Sequence, residues 1–418
     1  MSDQLARRLT TSDAVVVGLG AMLGAGVFAA FGPAAEVAGA GLLVGLALAA
    51  AVAFANATSS AQLAALYPQA GGTYVYGRER LGAPAGVLAG TAFVVGKTAS
   101  CAAMALTFGA YVAPHLARPL AIGAVVGLTA VNLAGVHRTA AVTRTIVAIV
   151  LAVLATVTVA TFGGGAVEPA NLSDLTGVGG WYGILQSAGL LFFAFAGYAR
   201  IATLGEEVVE PERTIPRAVP IALGITLVVY TLVGVGALLA AGPGELAGAD
   251  APLATAVEAG RFAAVSPVVR AGAALASAGV LLSLLAGVSR TSFAMARDGH
   301  LPVALARVST RTRIPHVAEV AIAVAVIVLL VTPIDLRGAI GFSSFGVLLY
   351  YGIANASAVT LAPSERRWPR WIAIGGVIGC AVLVATLPLV SVLSGAAVLL
   401  AGSAAIALRW RWRRSGGR

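Results

Sequence analysis

The most distinctive ionisable residue in this chain is Lys97, the single lysine among 27 basic residues. It lies inside an apolar run from Ala83 to Val112, and arginine fills every other basic position. A guanidinium does not release its proton in a protein, whereas a lysine ammonium that is removed from water does so readily. Ionisable residues inside membrane segments are functional by default. We therefore interpret Lys97 as a group that carries a proton or contacts a ligand, the alternative being a remnant lysine that pairs locally.

Glycine is concentrated in the first apolar segment, where Gly18, Gly20, Gly24 and Gly26 follow one another closely. Each glycine costs a helix about 1 kcal/mol relative to alanine. We expect this helix to unwind near Gly24 and Gly26. The alternative is close helix packing through Gly20 and Gly24, a small-xxx-small face of the ordinary kind.

A second interruption is predicted in the sixth apolar segment, where Phe192-Phe-Ala-Phe-Ala-Gly-Tyr198 places a glycine midway between Trp181 and Gly205. It comes five segments after the first interruption. Paired interruptions at corresponding positions are typical of secondary transporters built from inverted repeats, with the binding site at the bilayer midplane. The sequence therefore predicts a transporter.

Interrupted helices offer bare amides at one end and bare carbonyls at the other, which suit the carboxylate and ammonium groups of a zwitterion. Small residues such as Gly24 and Gly197 let a ligand approach the backbone. The predicted carboxylate site consists of the amides of Ala25, Gly26 and Val27. The predicted ammonium site consists of the carbonyls of Phe193, Ala194 and Ala196.

Composition places these residues in a membrane protein, because 59% of the residues are hydrophobic and 11% are charged, against about a quarter charged in soluble domains. The first segment has no signal-peptide cleavage site and stays in the protein. Apolar segments that can cross roughly 30 Å of hydrocarbon are predicted at 13–38, 40–66, 83–113, 116–135, 140–162, 181–204, 217–241, 266–290, 316–332, 338–361, 371–388 and 390–408.

Arginine distribution predicts the orientation of these twelve spans. With the amino terminus inside, twenty-one arginines fall in inner segments and four in outer segments, so both termini should face the cytoplasm of a cell whose plasma membrane holds the protein. The basic tail 409–418 should attract anionic lipid, and nucleic acid is not needed to explain the net charge of +10. Two isolated thiols, Cys101 and Cys380, predict neither a disulfide nor a metal site, and we expect no cofactor.

Five ordered motifs extend along nearly the whole chain. They are Gly24-Ala-Gly-Val-Phe28, Pro68-Gln-Ala-Gly-Gly-Thr-Tyr-Val-Tyr76, the 192–198 stretch running into Glu206-Glu-Val-Val-Glu-Pro-Glu-Arg-Thr-Ile-Pro216, Ser289-Arg-Thr-Ser-Phe-Ala-Met-Ala-Arg-Asp-Gly-His-Leu-Pro302, and Leu348-Leu-Tyr-Tyr-Gly-Ile-Ala-Asn355. Together they resemble the amino acid–polyamine–organocation superfamily of permeases.

The resemblance implies an all-α LeuT-type fold within a single transmembrane domain. The first inverted repeat would occupy 13–162, the second 181–361, and two further helices 371–408. It also implies α-amino acid binding at the two helix breaks, with Phe193 as an aromatic gate over the substrate. The alternative for Phe193 is a core or lipid-facing ring.

Two departures from the superfamily pattern concern charge. Many proton-coupled relatives carry an acidic residue where this chain has Ala199, with Arg200 beside it, and some carry a lysine in the fifth helix where this chain has Val150. Alignment on the Gly96-Lys97 step puts Lys97 at the level of the substrate. We therefore expect Lys97 to take over the missing proton-coupling role.

Several other polar residues have two interpretations. Glu206 and Glu207 are predicted to form an inner gate, with Arg7 and Arg8 as candidate partners, or to cap the following loop. Arg200 lines the exit or, as we favour, pairs with one of these carboxylates. Glu36 belongs to an extracellular vestibule or, as we favour, is a half-exposed carboxylate at the membrane interface. Three hydroxyls could contact the ligand, those of Tyr198, Ser283 and Ser343. The alternative is that each one bonds the backbone of its own helix.

The predicted function is secondary-active, proton-coupled uptake of neutral amino acids by alternating access. A positive charge at Lys97 without a carboxylate at Ala199 should repel a cationic substrate. The alternatives are an amino acid exchanger or exporter, a carrier of cationic amino acids or polyamines, and a non-transporting amino acid sensor. An enzyme is not expected, because the sequence offers no catalytic constellation.

Overall fold

The structure is a computed structural model that describes residues 9–67, 71–135, 140–176, 178–198, 201, 208–310 and 312–415. Within these residues the fold is all helical, and one parallel bridge joins Leu9 to Val208. Ten helical segments are long and apolar enough to cross a membrane, and two shorter apolar helices occupy the predicted ninth and eleventh spans. The prediction of an all-α, multi-pass membrane fold is confirmed.

We number the described α-helices in chain order. They are α1 Thr11–Met22, α2 Ala25–Ala29, α3 Phe31–Ala38, α4 Leu42–Leu66, α5 Thr73–Leu81, α6 Ala83–Val112, α7 Ala117–Leu133, α8 Ala140–Gly163, α9 Gly180–Phe195, α10 Pro211–Ala247, α11 Pro252–Glu258, α12 Ser266–Arg297, α13 His316–Val331, α14 Leu336–Val359, α15 Arg370–Thr386 and α16 Leu389–Ser415.

The beginning of α1 is set by a capping box. The Thr10 hydroxyl accepts from the Asp13 amide, and the Asp13 carboxylate accepts from the Thr10 amide at 3.0 Å. This reciprocal pair satisfies two amides that a helix start leaves without partners. Arg144 of α8 also pairs with Asp13, which fixes the start of α1 against the fifth span.

The first span is divided into α1, α2 and α3. Gly24, at the first division, has φ −67° and ψ −139°, which is not helical. Packing is also tight here, because a Cβ on Gly24 would overlap Val280 of α12, and one on Gly20 would lie 2.9 Å from Val147 of α8. Both sequence interpretations hold, since the helix breaks at Gly24 and glycine also allows its neighbours to approach.

The sixth span changes geometry where the sequence predicted an interruption. The α-helix α9 ends at Phe195, and a 3₁₀ turn continues over Ala196–Tyr198. This turn packs against α1, while α2 packs against α9. The interrupted parts of the two spans are therefore neighbours.

Several elements differ from the sequence prediction. Helix α10 begins at Pro211, six residues before the predicted span at 217, and α12 continues to Arg297 beyond the predicted 290. Proline at the first helical position is favourable because its missing N–H needs no partner there. The short helices α5 and α11 were not predicted, because both are too short to resemble membrane spans.

Candidate functional site

The start of α2 lies directly against the end of α9. A Cβ on Gly26 would lie 2.6 Å from the Ala194 Cα, and real Cβ atoms do not approach that closely. A Cβ on Gly197 would overlap the Ala21 carbonyl and approach the Met22 amide to 2.7 Å. Glycine is required at both positions, and the structure brings together the two stretches from which the sequence predicts a site.

Two amides at the start of α2 make no hydrogen bond to groups outside that helix in the described part of the chain. Among the described residues, no acceptor outside α2 takes a hydrogen bond from the Gly26 or Val27 amide. Gly24, the residue before the helix, provides no side-chain cap. Unbonded amides at a helix start favour negative charge, and the Ala25 amide lies in the same turn.

Two buried tyrosines contact the predicted ammonium site, and sequence reasoning missed both. The Tyr230 hydroxyl of α10 lies 2.5 Å from the Met22 carbonyl and 3.0 Å from the Ala194 carbonyl. The Tyr351 hydroxyl of α14 donates to the Ala196 carbonyl at 3.3 Å. The sequence could have indicated such contacts, because a tyrosine buried in an apolar span usually finds a hydrogen-bond partner.

Phe193 differs from the two phenylalanines beside it. Phe192 meets the Tyr351 ring edge-on and Phe195 packs on Tyr230, and both are fully enclosed. Phe193 retains 9% exposure. Phe193 is thus the least enclosed of the three rings at the end of α9, although it too is buried in the core.

Lys97 is buried in α6, beside the place where that helix crosses α14 most closely. A Cβ on Gly96 would lie 3.1 Å from the Gly346 Cα, and the Ser100 and Ser343 hydroxyls are 2.6 Å apart. Among the described residues, no hydrogen bond or ion pair reaches the Lys97 ammonium, and Cys101 is the ionisable side chain in electrostatic range. Val150, where some relatives carry a lysine, is buried in α8.

The three predicted hydroxyl contacts have different surroundings. The Tyr198 hydroxyl is buried without a hydrogen-bond partner. Ser283 donates to the Gly279 carbonyl of its own helix at 3.2 Å, which is the backbone alternative. Ser343 bonds across helices to Ser100. Tyr351 and Asn56 nevertheless lie within interaction range of the Tyr198 hydroxyl.

Comparison with known families decides the class of this protein. The sequence profile described as amino acid permease matches residues 9–410. The chain belongs to the amino acid permease family. It is a transporter of amino acids, a multi-pass membrane protein, and not an enzyme.

Three relatives show how far the similarity extends. An uncharacterized transporter of Mycobacterium tuberculosis is 60% identical over 407 residues, which cover 97% of this chain and 92% of the relative. The branched-chain amino acid permease BcaP of Bacillus subtilis is 25% identical over 75% of this chain and 72% of its own. The human cationic amino acid transporter 4 is 28% identical over 86% of this chain and 60% of its own.

At one end of this permease, a polar cluster joins four spans. Arg337, at the start of α14, lies 2.5 Å from the Glu36 carboxylate of α3 and 3.4 Å from the Gln186 side chain of α9. Gln186 also donates to the Thr386 carbonyl of α15 at 3.0 Å. Glu36 is half-exposed, in agreement with the interfacial interpretation, and it also pairs with Arg337 between spans.

At the opposite end, α5 of the permease carries a second polar cluster. The Tyr74 hydroxyl donates to Asp298 at 2.7 Å and, since it has one proton, accepts from the His300 Nδ1 at 2.8 Å. Burial lowers the pKa of His300 and raises that of Tyr74. Arg78 pairs with the same Asp298 carboxylate at 3.3 Å.

A neighbouring ion pair connects α5 to the segment between α14 and α15. Arg80 contacts Glu365 at 2.6 Å. The hydrogen bond from the Ala362 amide is the main cause that lowers the pKa of the Glu365 carboxyl, and the hydrogen bond from Arg80 lowers it further. The predicted inner-gate residues Glu206 and Glu207, together with Arg7, Arg8 and Arg200, lie outside the described residues.

Two cavities of the permease lie away from the helix breaks. One, of about 340 Å³, is bordered by α6, α12, α16 and the residues after α12. The other, of about 670 Å³, lies between α4 and α10. Neither of these two cavities borders Gly26 or Ala194.

Proposed function

We propose that this permease imports neutral amino acids together with protons by alternating access. It would operate in the plasma membrane with both termini in the cytoplasm, as the arginine distribution favours. The repeats 13–162 and 181–361 would move relative to each other around the helix breaks. The segments 371–408 would add two helices outside the repeats.

The proposal depends on one observation: the first turn of α2 packs against the last turn of α9, with Gly26 directly against the Ala194 backbone. The amides of Ala25, Gly26 and Val27 would bind the substrate carboxylate, beside Gly24. The carbonyls at the end of α9 would bind its ammonium group, beside Gly197. Because the backbones touch, a substrate reaches these groups only when the spans separate, as alternating access requires.

The carbonyls of Ala194 and Ala196 can bind an ammonium although tyrosine hydroxyls already contact them. A carbonyl oxygen has two lone pairs and accepts two hydrogen bonds. The Phe193 carbonyl would complete the ammonium site, and the Phe193 ring would close over the substrate. Glu206 and Glu207 would form the inner gate.

Lys97 would carry the coupling proton, because its side chain is buried and no ion pair reaches it among the described residues. A positive charge held near the substrate repels a second positive charge in a medium of low dielectric constant. We therefore propose a preference for neutral side chains, like that in the name of the branched-chain permease relative. The cationic transporter relatives make arginine the competitor to test.

The test is uptake into proteoliposomes that contain the purified permease, with the membrane potential clamped at zero. An inward gradient of one pH unit should drive up to about tenfold accumulation if one proton accompanies each substrate. We expect leucine or alanine to accumulate and arginine to remain near its external concentration. Arginine import at the leucine rate would contradict the neutral preference.

A counterflow assay separates symport from exchange. Vesicles preloaded with unlabelled leucine should take up labelled leucine without a pH gradient, because both mechanisms allow exchange. Vesicles without internal leucine should accumulate it only when the gradient is present. Gradient-driven accumulation that requires internal substrate would identify an exchanger instead.

A further inference from the structure

A short helix outside the spans is almost fully enclosed. Helix α11 connects the spans α10 and α12, yet its residues Leu253, Ala254 and Val257 are at most 1% exposed. It packs against α2, α8, α10 and α12. The proposed orientation places this end of the molecule outside the cell, so α11 covers α2 from the outer side.

The segment that carries α11 also packs closely on α3. A Cβ on Gly32 would lie 3.0 Å from the Pro252 ring and 3.2 Å from the Leu246 carbonyl oxygen. Because a methyl group would already be crowded at this contact, no solute passes here while α11 stays in place. A substrate that approaches the first span from this side requires α11 to move away.

One side chain connects α11 with the helix that begins at the proposed carboxylate site. The Tyr111 hydroxyl, near the end of α6, lies 2.9 Å from the Phe28 carbonyl of α2 and 3.2 Å from the Leu253 amide of α11. A phenol has one proton, so the hydroxyl donates to the carbonyl and accepts from the amide. Tyr111 is 1% exposed, and its ring meets the Phe28 ring edge-on. The hydroxyl therefore bridges α2 and α11.

The Phe28 carbonyl is available to Tyr111 because the first span is interrupted there. In a continuous α-helix this carbonyl would accept from the Gly32 amide, four residues later. Among the described residues that bond is missing where α2 gives way to α3. A buried carbonyl without a partner is costly, and the Tyr111 hydroxyl supplies the partner. The bridge thus depends on how α2 is set against α3.

We propose that Tyr111 is a positioning residue that holds the outer helix α11 against the substrate-binding helix α2. The inference rests on the proposed function, because it assumes that substrate binds at the start of α2. A substrate that draws α2 into this position brings the Phe28 carbonyl to Tyr111, and the same hydroxyl then holds α11 in place through Leu253. Opening toward the outside breaks this bridge.

The decisive variant is Tyr111→Phe, which keeps the ring against Phe28 and removes both hydrogen bonds. The reporter is Ala254→Cys in α11, labelled by a water-soluble maleimide on purified permease in lipid nanodiscs, with and without leucine. We expect labelling to be about tenfold faster in Tyr111→Phe, because two buried hydrogen bonds are lost. Saturating leucine should slow the labelling when Tyr111 is present and should not slow it in Tyr111→Phe.

Leucine binding separates this role from a general loss of structure. Coupling between two sites is reciprocal, so the Kd for leucine should rise in Tyr111→Phe by no more than the factor by which leucine slows labelling of the parent. A damaged fold would lose binding altogether. The matched control is Tyr182→Phe, an exposed ring at the same end of the molecule, which should label and bind like the parent. Protein without the reporter gives the background from the buried Cys101 and Cys380.

Each outcome decides between the two proposals. Unchanged labelling and intact leucine protection in Tyr111→Phe would overturn the Tyr111 bridge. If Tyr111→Phe binds no leucine, Gly32→Ala decides, because its methyl group would push Pro252 away and stretch the bond from the adjacent Leu253 amide. Faster labelling of Gly32→Ala with leucine still bound supports the bridge, and unchanged labelling overturns it. A parent that is protected by leucine but takes up no protons in proteoliposomes contradicts the proposed function and leaves the bridge supported.

Discussion

Two buried polar regions of this permease differ in the kind of group they contain. At the helix breaks, the polar groups described are peptide amides, peptide carbonyls and the hydroxyls of Tyr198, Tyr230 and Tyr351. In α6 and α13, they include the buried ionisable side chains of Lys97, Cys101 and Glu319. The first region suits a zwitterion that keeps its charges, whereas the second suits a proton that moves.

This difference indicates that substrate binding and proton movement can be separated by mutation. Changes at the helix breaks should impair exchange and accumulation together, because both require the substrate site. Changes at Lys97 should impair accumulation and spare exchange. The ratio of accumulation to exchange is therefore the quantity that distinguishes the two regions.

The largest effect is expected for Gly26→Ala. Its methyl group would overlap the Ala194 backbone, which cannot yield as a flexible side chain can. We expect exchange and accumulation to fall together by about a hundredfold, equivalent to about 2.7 kcal/mol. The matched control is Gly127→Ala in α7, where a Cβ meets nothing within 4 Å. Normal transport by Gly26→Ala would show that this contact is not part of the site.

The next effect is expected for Lys97→Ala. Without the ammonium, we expect gradient-driven accumulation to fall by about tenfold or more while leucine exchange survives. Lys97→Arg keeps the charge but cannot release a proton, so it should also lose accumulation. The measurement is labelled leucine uptake with and without the pH gradient. Accumulation unchanged in Lys97→Ala would remove Lys97 from the coupling mechanism.

A smaller effect is expected for Tyr230→Phe. Loss of the hydroxyl leaves the Met22 and Ala194 carbonyls without their shared partner, which costs about 1–3 kcal/mol in a buried setting. We expect exchange and accumulation to fall together by about fivefold to tenfold. Tyr182→Phe, on an exposed ring at the start of α9, is the control. A selective loss of accumulation in Tyr230→Phe would place this hydroxyl with the proton route instead.

The smallest effect is expected for the pair between Glu36 and Arg337. Both side chains are partly exposed, and such pairs contribute about 0–1 kcal/mol. Glu36→Gln should change transport rates by about twofold or less and leave the accumulation-to-exchange ratio unaltered. Initial-rate measurements at low and high salt test this. A large change in that ratio would mean that the pair communicates with the proton route.

Much of the fold could be predicted from the sequence because membrane spans follow from local composition. The helix break at Gly24 and the change of geometry at Ala196 both occur where glycine interrupts an apolar run. Helix α5 could not be predicted in this way, because it is short and its Arg78 and Arg80 bind residues more than two hundred positions away.

The polar contacts of the candidate site were harder to predict. Glu319 is the fourth residue of its helix and resembles an interfacial carboxylate in sequence. Its hydrogen-bond partner Asn132 lies in α7, far away in the chain, and Asn132 also bonds the Leu282 carbonyl of α12. Tyr230 reaches Met22 across a comparable separation. A single sequence contains the side chains but not the tertiary packing that joins them.

The bridge near Leu9 has a consequence for the transport cycle. The Val209 amide donates to the Leu9 carbonyl at 2.9 Å. This hydrogen bond joins the segment that precedes the first span to the segment that follows the sixth span. Both interrupted spans are thereby tethered at the same end by one backbone hydrogen bond. If the two spans move during transport, either these two segments move together or the hydrogen bond between them breaks once in every cycle. A covalent cross-link between positions 9 and 208 would therefore slow transport only in the second case.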